Sequence, residues 1–331
     1  MYRQRAGQSE SSYVSNLLIV RTDRLRAFVV ISLVTAVGGL LAGGGCRGSS
    51  QPTQSKATTS LTQRAVSSTT SVTPPTTFPE RPVAATDPIA LAGQIEVAER
   101  AIRDSNISAD QIARAAHSQQ VAYRSLVVHP EWDAQVASAL PVEFRSVMEA
   151  NVFAGRELRQ LVSKPKDTLP AWRIIEPDPI DILRKAYEAG EAEFGIPWEY
   201  LAAVHLTETR MGRIRGVSTA GARGPMQFLP STWESYGKGD IENTHDAIAA
   251  AARYLAANGA PQRMADALYR YNPTPRYVNA VTSYAKQMEA DENSFKAYYH
   301  WQVYYITTLG DAWLEVGYNQ SEPRPVTPED L

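Results

Sequence analysis

Hydrophobic and polar positions divide the chain into stretches of unlike pattern. Residues 28–45 are almost wholly apolar or small, residues 47–86 are mostly Ser, Thr, Pro and Gln, and from Asp87 an alanine-rich helical periodicity begins. That periodicity predicts helices over about 88–104, 109–127, 131–138 and 142–162, with Pro130 and Pro141 at helix starts, where a missing N–H costs nothing. A connector at 166–179 follows, carrying Pro170, Trp172, Pro177 and Pro179, and a further helical run opens at Ile180 and reaches Phe194. Near the far end, aromatic and β-branched residues from Tyr298 to Tyr318 flank Gly310 and Asp311, the pattern of a short hairpin. The last stretch, 321–331, has three prolines and is expected to be a loose tail.

One acid stands out within this frame. Trp198 to Arg210 runs without a breaker between Pro197, acceptable in a first turn, and Gly212, a suitable stop. Leu201, Val204 and Glu208 recur at i, i+3 and i+7, so the carboxylate continues the apolar face. Desolvation disfavours its charged form, and a carboxylic acid that keeps its proton near neutral pH suits the protonation of a leaving oxygen. The plain alternative is a helix-end glutamate paired with Arg210 or Arg213.

Downstream, Ser218, Gly221, Ala222, Gly224, Met226, Gln227 and Pro230 form a glycine-punctuated stretch. Two glycines three apart suit a turn whose backbone approaches something closely, or an ordinary tight turn opening the next helix. No strand pattern precedes it and no Gly-Lys-Ser/Thr closes it, which argues against a phosphate cradle. The alanine-rich run from Asp246 to Leu255 reads as packing core, with Thr244 as its cap. Ala267, Tyr269, Arg270, Tyr271 and Asn272 follow.

Taken in order, Glu208, the stretch from Ser218 to Pro230, and the block Ala267, Tyr271, Asn272 resemble the catalytic core of the lytic transglycosylases of the soluble type, over roughly 197–288. At the other end of the chain, Arg21, Arg24 and Arg26 before an apolar run that leads to Gly43, Gly44, Gly45 and Cys46 are similar to the start of actinobacterial-type exported lipoproteins. The resemblance implies a mainly α fold with a lysozyme-like helical catalytic domain, placed at 180–320; the residue pattern adds a helical accessory region at 87–165 before it and a short C-terminal β-hairpin. It implies cleavage of the β-1,4 bond between N-acetylmuramic acid and N-acetylglucosamine in peptidoglycan, with Glu208 acting as acid and then base and leaving 1,6-anhydromuramoyl ends. The substrate's acetamido group then takes the place of a second carboxylate. Ser218, Met226, Gln227, Tyr271 and Asn272 carry over as substrate contacts, with Tyr271 also hydrogen-bonded to Glu208, and no cofactor is implied. The sequence departs from the family pattern at Arg270 and at Pro273, Thr274 and Pro275, where a small glycine-containing turn is usual. Tyr277 and Tyr284 are either cleft wall or core. Two rivals stay open: a goose-type-lysozyme-like hydrolase, with Asp240, Glu242 or Asp246 as the base, and a non-catalytic peptidoglycan-binding lipoprotein.

The amino end bears on location. Arg21, Arg24 and Arg26 precede the apolar run that leads to Gly43, Gly44, Gly45 and Cys46, so 1–45 reads as an export segment. Cys46 is the only cysteine; it resembles a lipoprotein cleavage site, although Gly43 stands where a larger residue is usual. Residues 46–86 are then the anchor cysteine and a disordered tether of roughly 35 Å reach, which places the protein at the outer face of the cytoplasmic membrane. The 33 Lys and Arg against 35 Asp and Glu, with no basic block interleaved with aromatics, argue against nucleic acid as a partner. His205 precedes Glu208 by three without a His-Glu-x-x-His pattern or a cysteine cluster, so no metal site is expected.

Overall fold

The computed structural model describes residues 77–331. The expected export segment, Cys46 and most of the tether lie outside the described residues. Four helices come first: α1 (Pro88–Arg103), α2 (Ala109–Val128), α3 (Asp133–Ala139) and α4 (Val142–Arg159). Asp87 caps α1 by accepting from the N–H groups of Ile89 and Ala90, and Ser108 caps α2 by accepting from Gln111 N–H. Their boundaries match the predicted ones to within a few residues.

Seven helices follow: α5 (Ile180–Phe194), α6 (Trp198–Thr209), α7 (Pro230–Tyr236), α8 (Thr244–Ala257), α9 (Met264–Tyr271), α10 (Pro275–Ala290) and α11 (Asn293–His300). Helix α6 is the hub. Leu201, Ala202, Ala203, Val204, His205 and Leu206 are all fully buried, as in a helix enclosed on every side. Small residues permit that enclosure: a Cβ on Gly190 of α5 would stand 2.7 Å from Leu201 Cδ1 and 3.2 Å from the Cβ of Ala252 on α8. Helix α10 packs against both α6 and α4 and so ties the first four helices to the hub.

The hydrophobic core runs without a break from Phe78 through α1–α4 into α6, α8, α10 and Trp301. Polar groups cross the same boundary. The Tyr298 hydroxyl donates to Asn151 Oδ1 at 2.8 Å, and Trp301 Nε1 donates to Gln119 Oε1 at 2.9 Å. Three antiparallel two-stranded ribbons form a small layer: β1 (Thr168–Leu169) with β6 (Arg324–Pro325), β2 (Arg173–Ile174) with β3 (Ile214–Arg215), and β4 (Val303–Ile306) with β5 (Asp311–Leu314). Leu169, Ile174, Val303, Ala312 and Leu314 form its own apolar cluster. The β4–β5 pair is the hairpin expected from the aromatic pattern.

Three local expectations are corrected. The 321–331 stretch is not loose: β6 pairs with β1, Thr327 and Asp330 form a capping box, and Arg324 is ion-paired with Asp330. The tether does not stay unstructured to residue 86, because Phe78 is buried and its N–H donates to Gln111 Oε1 at 2.8 Å. The cap of α8 is Asn243, whose Oδ1 accepts from Asp246 N–H, while Thr244 is already helical.

Candidate active site

Glu208 occupies the last turn of α6, where the helix stops abruptly. Arg210, Met211 and Gly212 take successive left-handed φ angles of 55°, 59° and 84°, and two of the three are residues that seldom do so. Met211 is fully buried, and Thr209 Oγ1 accepts from Gly212 N–H at 3.1 Å, so packing and a side-chain bond hold the reversal. The chain then enters β3 and the glycine-rich turn.

That turn is built by its glycines. Gly224 has φ 73°, and a Cβ there would lie 2.0 Å from the carbonyl oxygen of Ile241, so no other residue fits. Arg223 and Phe228 bridge across the turn, which leaves Gln227 at its corner with φ 49°. Gln227 Nε2 donates to the carbonyls of Gly216 and Gly224, so its side-chain oxygen is the group left for a ligand. Ser218 Oγ accepts from Ala222 N–H at 3.0 Å.

A cleft of about 620 Å³ opens above these residues, lined by Glu208, Ser218, Gln227, Asn272 and Tyr277 among others. The rest of its lining comes from α2, α4 and the strand layer with its connector, with Gln120, Arg124, Asn151, Arg159, Trp172 and Tyr304. Glu208 is the only carboxylic acid among the lining residues. Burial pushes its pKa up to about 7, against the opposing effect of a hydrogen bond from Tyr277. The Tyr277 hydroxyl donates to Glu208 Oε1 at 2.7 Å, and burial holds that phenol well above its ordinary value. A smaller hollow of about 350 Å³ beside Arg184 and Glu292 has those two charges already ion-paired.

The sequence-derived site residues divide into two groups. Ser218, Gln227 and Asn272 reach the cleft with Glu208. Met226 is fully buried, and Tyr271 gives its hydroxyl to Met226 O at 2.6 Å instead of to Glu208. These two brace the turn from behind. The bond to Glu208 expected of Tyr271 is made by Tyr277, on the next helix, with the two rings stacked at 6.3 Å. Of the two roles open to Tyr277 in the sequence, cleft wall or core, it takes the first and also holds the acid, and residues of α2 and α4 share the lining. Asp240, Glu242 and Asp246 do not line the cleft; Asp246 Oδ2 accepts from Asp240 N–H, and Asp240 Oδ1 accepts from Glu242 N–H. Arg213 pairs with Glu176 at 3.0 Å, away from Glu208. His205 shares a hydrogen bond with Tyr187, and burial holds its pKa down to about 3, so it is a neutral core residue. Among the described residues no group of His, Cys, Asp and Glu is placed to hold a metal ion.

A mainly helical body with one desolvated acid in a cleft is the arrangement of a lysozyme-like domain. Residues 185–294, a third of the chain, match the family model described as the transglycosylase SLT domain. The chain is also similar to the membrane-bound lytic murein transglycosylase F of Thiobacillus denitrificans, 29% identical over 127 residues, which is 36% of this chain. It spans only 27% of that relative's length. No solved structure matches the chain significantly.

Proposed function

We propose that the protein is a peptidoglycan lytic transglycosylase that works with Glu208 alone. The observation that carries this reading is the single carboxylic acid of the cleft, with a pKa raised to about 7 by burial. Glu208 gives its proton to the β-1,4 oxygen as the bond from C1 of N-acetylmuramic acid breaks, and N-acetylglucosamine leaves with a free 4-hydroxyl. The acetamido oxygen of the muramoyl residue bonds to C1 and carries the charge. The carboxylate thus created then takes the proton of the muramoyl C6 hydroxyl. O6 displaces the acetamido oxygen at C1, closing the 1,6-anhydro ring and restoring the acid. No water enters, and no second carboxylate is needed. Gln227, Ser218 and Asn272 are the sugar contacts in this reading, and Tyr277 positions the acid.

A hydrolase needs a base for water, and the positions of Asp240, Glu242 and Asp246 outside the cleft lining weigh against that rival. The work is placed in the cell envelope, with export through 1–45 and a lipid on Cys46. The name of the relative, a membrane-bound enzyme, agrees with that placement.

Digestion of purified peptidoglycan by the full-length protein, beside Glu208→Gln, tests the reading by mass spectrometry of the products. Muropeptides lighter than the reducing forms by one water, absent with the variant, are expected. Reducing-end products would make it a lysozyme, and products that persist in the variant would remove Glu208 from the chemistry.

A further inference from the structure

The charge of the cleft is lopsided. Five cations line it, Arg124, Arg159, Lys164, Lys166 and Arg210, against the single acid Glu208, although the chain as a whole has a formal charge of −2. Arg124 and Arg159 converge on one carboxylate, Asp311, which is too little to neutralise both. Lys164 and Lys166 are exposed on the loop after α4.

Arg210 is the sharpest case. It follows Glu208 by two residues, and no carboxylate among the described residues is ion-paired with it. Its guanidinium lies 5.9 Å from the centre of the Trp301 ring, and its charged neighbours are two more arginines, Arg124 and Arg213. Burial depresses its pKa to about 10, with the two arginines adding to the shift and Tyr284 opposing it. A desolvated guanidinium is normally matched by a carboxylate, because an uncompensated charge is costly. Here the backbone is also held left-handed at Arg210, at φ 55°, by the buried Met211 and the Thr209 bond. A planar five-donor fork kept unpaired at the wall of a cavity suits a bidentate oxyanion.

We propose that the basic side of the cleft binds a carboxylate on the lactyl branch of N-acetylmuramic acid, with Arg210 as its main contact and the accessory helices supplying the surrounding positive charge. The carboxylate is the free lactyl acid in a stripped strand, or a stem-peptide acid where the lactyl group is amidated. The proposal rests on the transglycosylase reading and gives the helices of 87–165 a part in substrate choice. Arg124, Arg159, Lys164 and Lys166 all lie outside the matched family segment, so this preference belongs to this chain's own architecture.

Binding separates the two readings. The full-length Glu208→Gln protein, which holds substrate without turning it over, is titrated calorimetrically with three ligands of equal sugar number. These are a chito-oligosaccharide with no carboxylate, a stripped glycan strand with lactyl acids, and a strand with stem peptides. At least one carboxylate ligand is expected to bind about tenfold tighter than the chito-oligosaccharide. The stripped and stem-bearing arms tell which acid is read. Adding Arg210→Gln is expected to remove that preference, and Arg210→Lys to restore part of it. If Arg210→Gln fails to fold, the exposed pair Lys164→Ala with Lys166→Ala is expected to weaken the same preference and its salt dependence. Equal affinity for all three ligands, or a preference that survives these substitutions, overturns the proposal and leaves the transglycosylase reading standing. No binding to any ligand, with no anhydro products from the unsubstituted protein, overturns the reading beneath it.

Discussion

Tyr277 and Glu208 meet at 2.7 Å, phenol to carboxylate, although they lie 69 residues apart on two different helices. The bond opposes burial. It stabilises the ionised acid, while desolvation destabilises it, and the balance is a group held at about 7. Oε1 is occupied by this bond, so the proton is presented from the other oxygen.

The first prediction removes that bond. Tyr277→Phe takes away a donor to the carboxylate, so the pKa of Glu208 rises further. In the unsubstituted protein kcat/KM is expected to fall as pH rises through about 7, because the proton needed for the leaving oxygen is lost there. In Tyr277→Phe that descending limb is expected to move up by on the order of one pH unit, with a lower plateau from the looser acid. A pH–rate series on soluble glycan strands reads both. A limb that stays in place would mean that another group governs it.

Glu208 also carries a stability signature. Its folded-state pKa lies at about 7, above the ordinary 4.5. Below the lower value both folded and unfolded chains hold the proton and no penalty exists. Between the two the unfolded chain ionises first, and above the upper value the full penalty applies. It is at most about 3 kcal/mol, reduced by water in the cleft. Glu208→Gln should therefore melt close to the unsubstituted protein at pH near 4 and several degrees higher at pH near 8. Parallel melting curves at all pH values would show that the acid is not desolvated in solution.

Much of this was legible in the sequence, for identifiable reasons. Glu208 could be found because the i, i+3, i+7 spacing is local, and the turn because its glycines are close together. The hairpin about Gly310 was legible for the same reason. The exchange of Tyr271 for Tyr277 was not, because which of two tyrosines six residues apart meets the acid depends on how α10 leaves Pro273 and Pro275. The end of the chain misleads because its three prolines speak for looseness, whereas the order comes from β1, more than 150 residues earlier. The cleft's second side is hidden in the sequence for a related reason. Arg124 and Arg159 sit on ordinary amphipathic helices, and only tertiary packing turns them towards Glu208.

The turn itself gives a third prediction. Gly224→Ala meets two obstacles at once, a φ of 73° and a backbone oxygen 2.0 Å from the new methyl group. Neither yields through side-chain rotation. A loss of about 2–4 kcal/mol is expected, with a fall in Tm of several degrees. Activity should fall by more than stability explains, since the Gly224 carbonyl helps hold the Gln227 amide. Calorimetry and turnover measured at a temperature where both proteins are folded separate the two effects.

The last prediction concerns the joint between the first four helices and the rest. An independent binding module there would leave each part able to fold alone. The joint is instead core: Tyr298 and Trp301 are buried and reach across it to Asn151 and Gln119, while α10 lies along α4. Removing 1–165 would expose the apolar faces of α10 and α11. It would also strip those two donors of their partners, each buried orphan costing about 1–3 kcal/mol against a total stability of about 5–15 kcal/mol. A chain starting at Lys166 should therefore show no cooperative thermal transition and should bind a hydrophobic dye, while the chain from Thr77 melts in a single step. A sharp transition in the shorter chain would mean that the family segment folds alone and that the helices before it are an addition to the cleft, not part of its foundation.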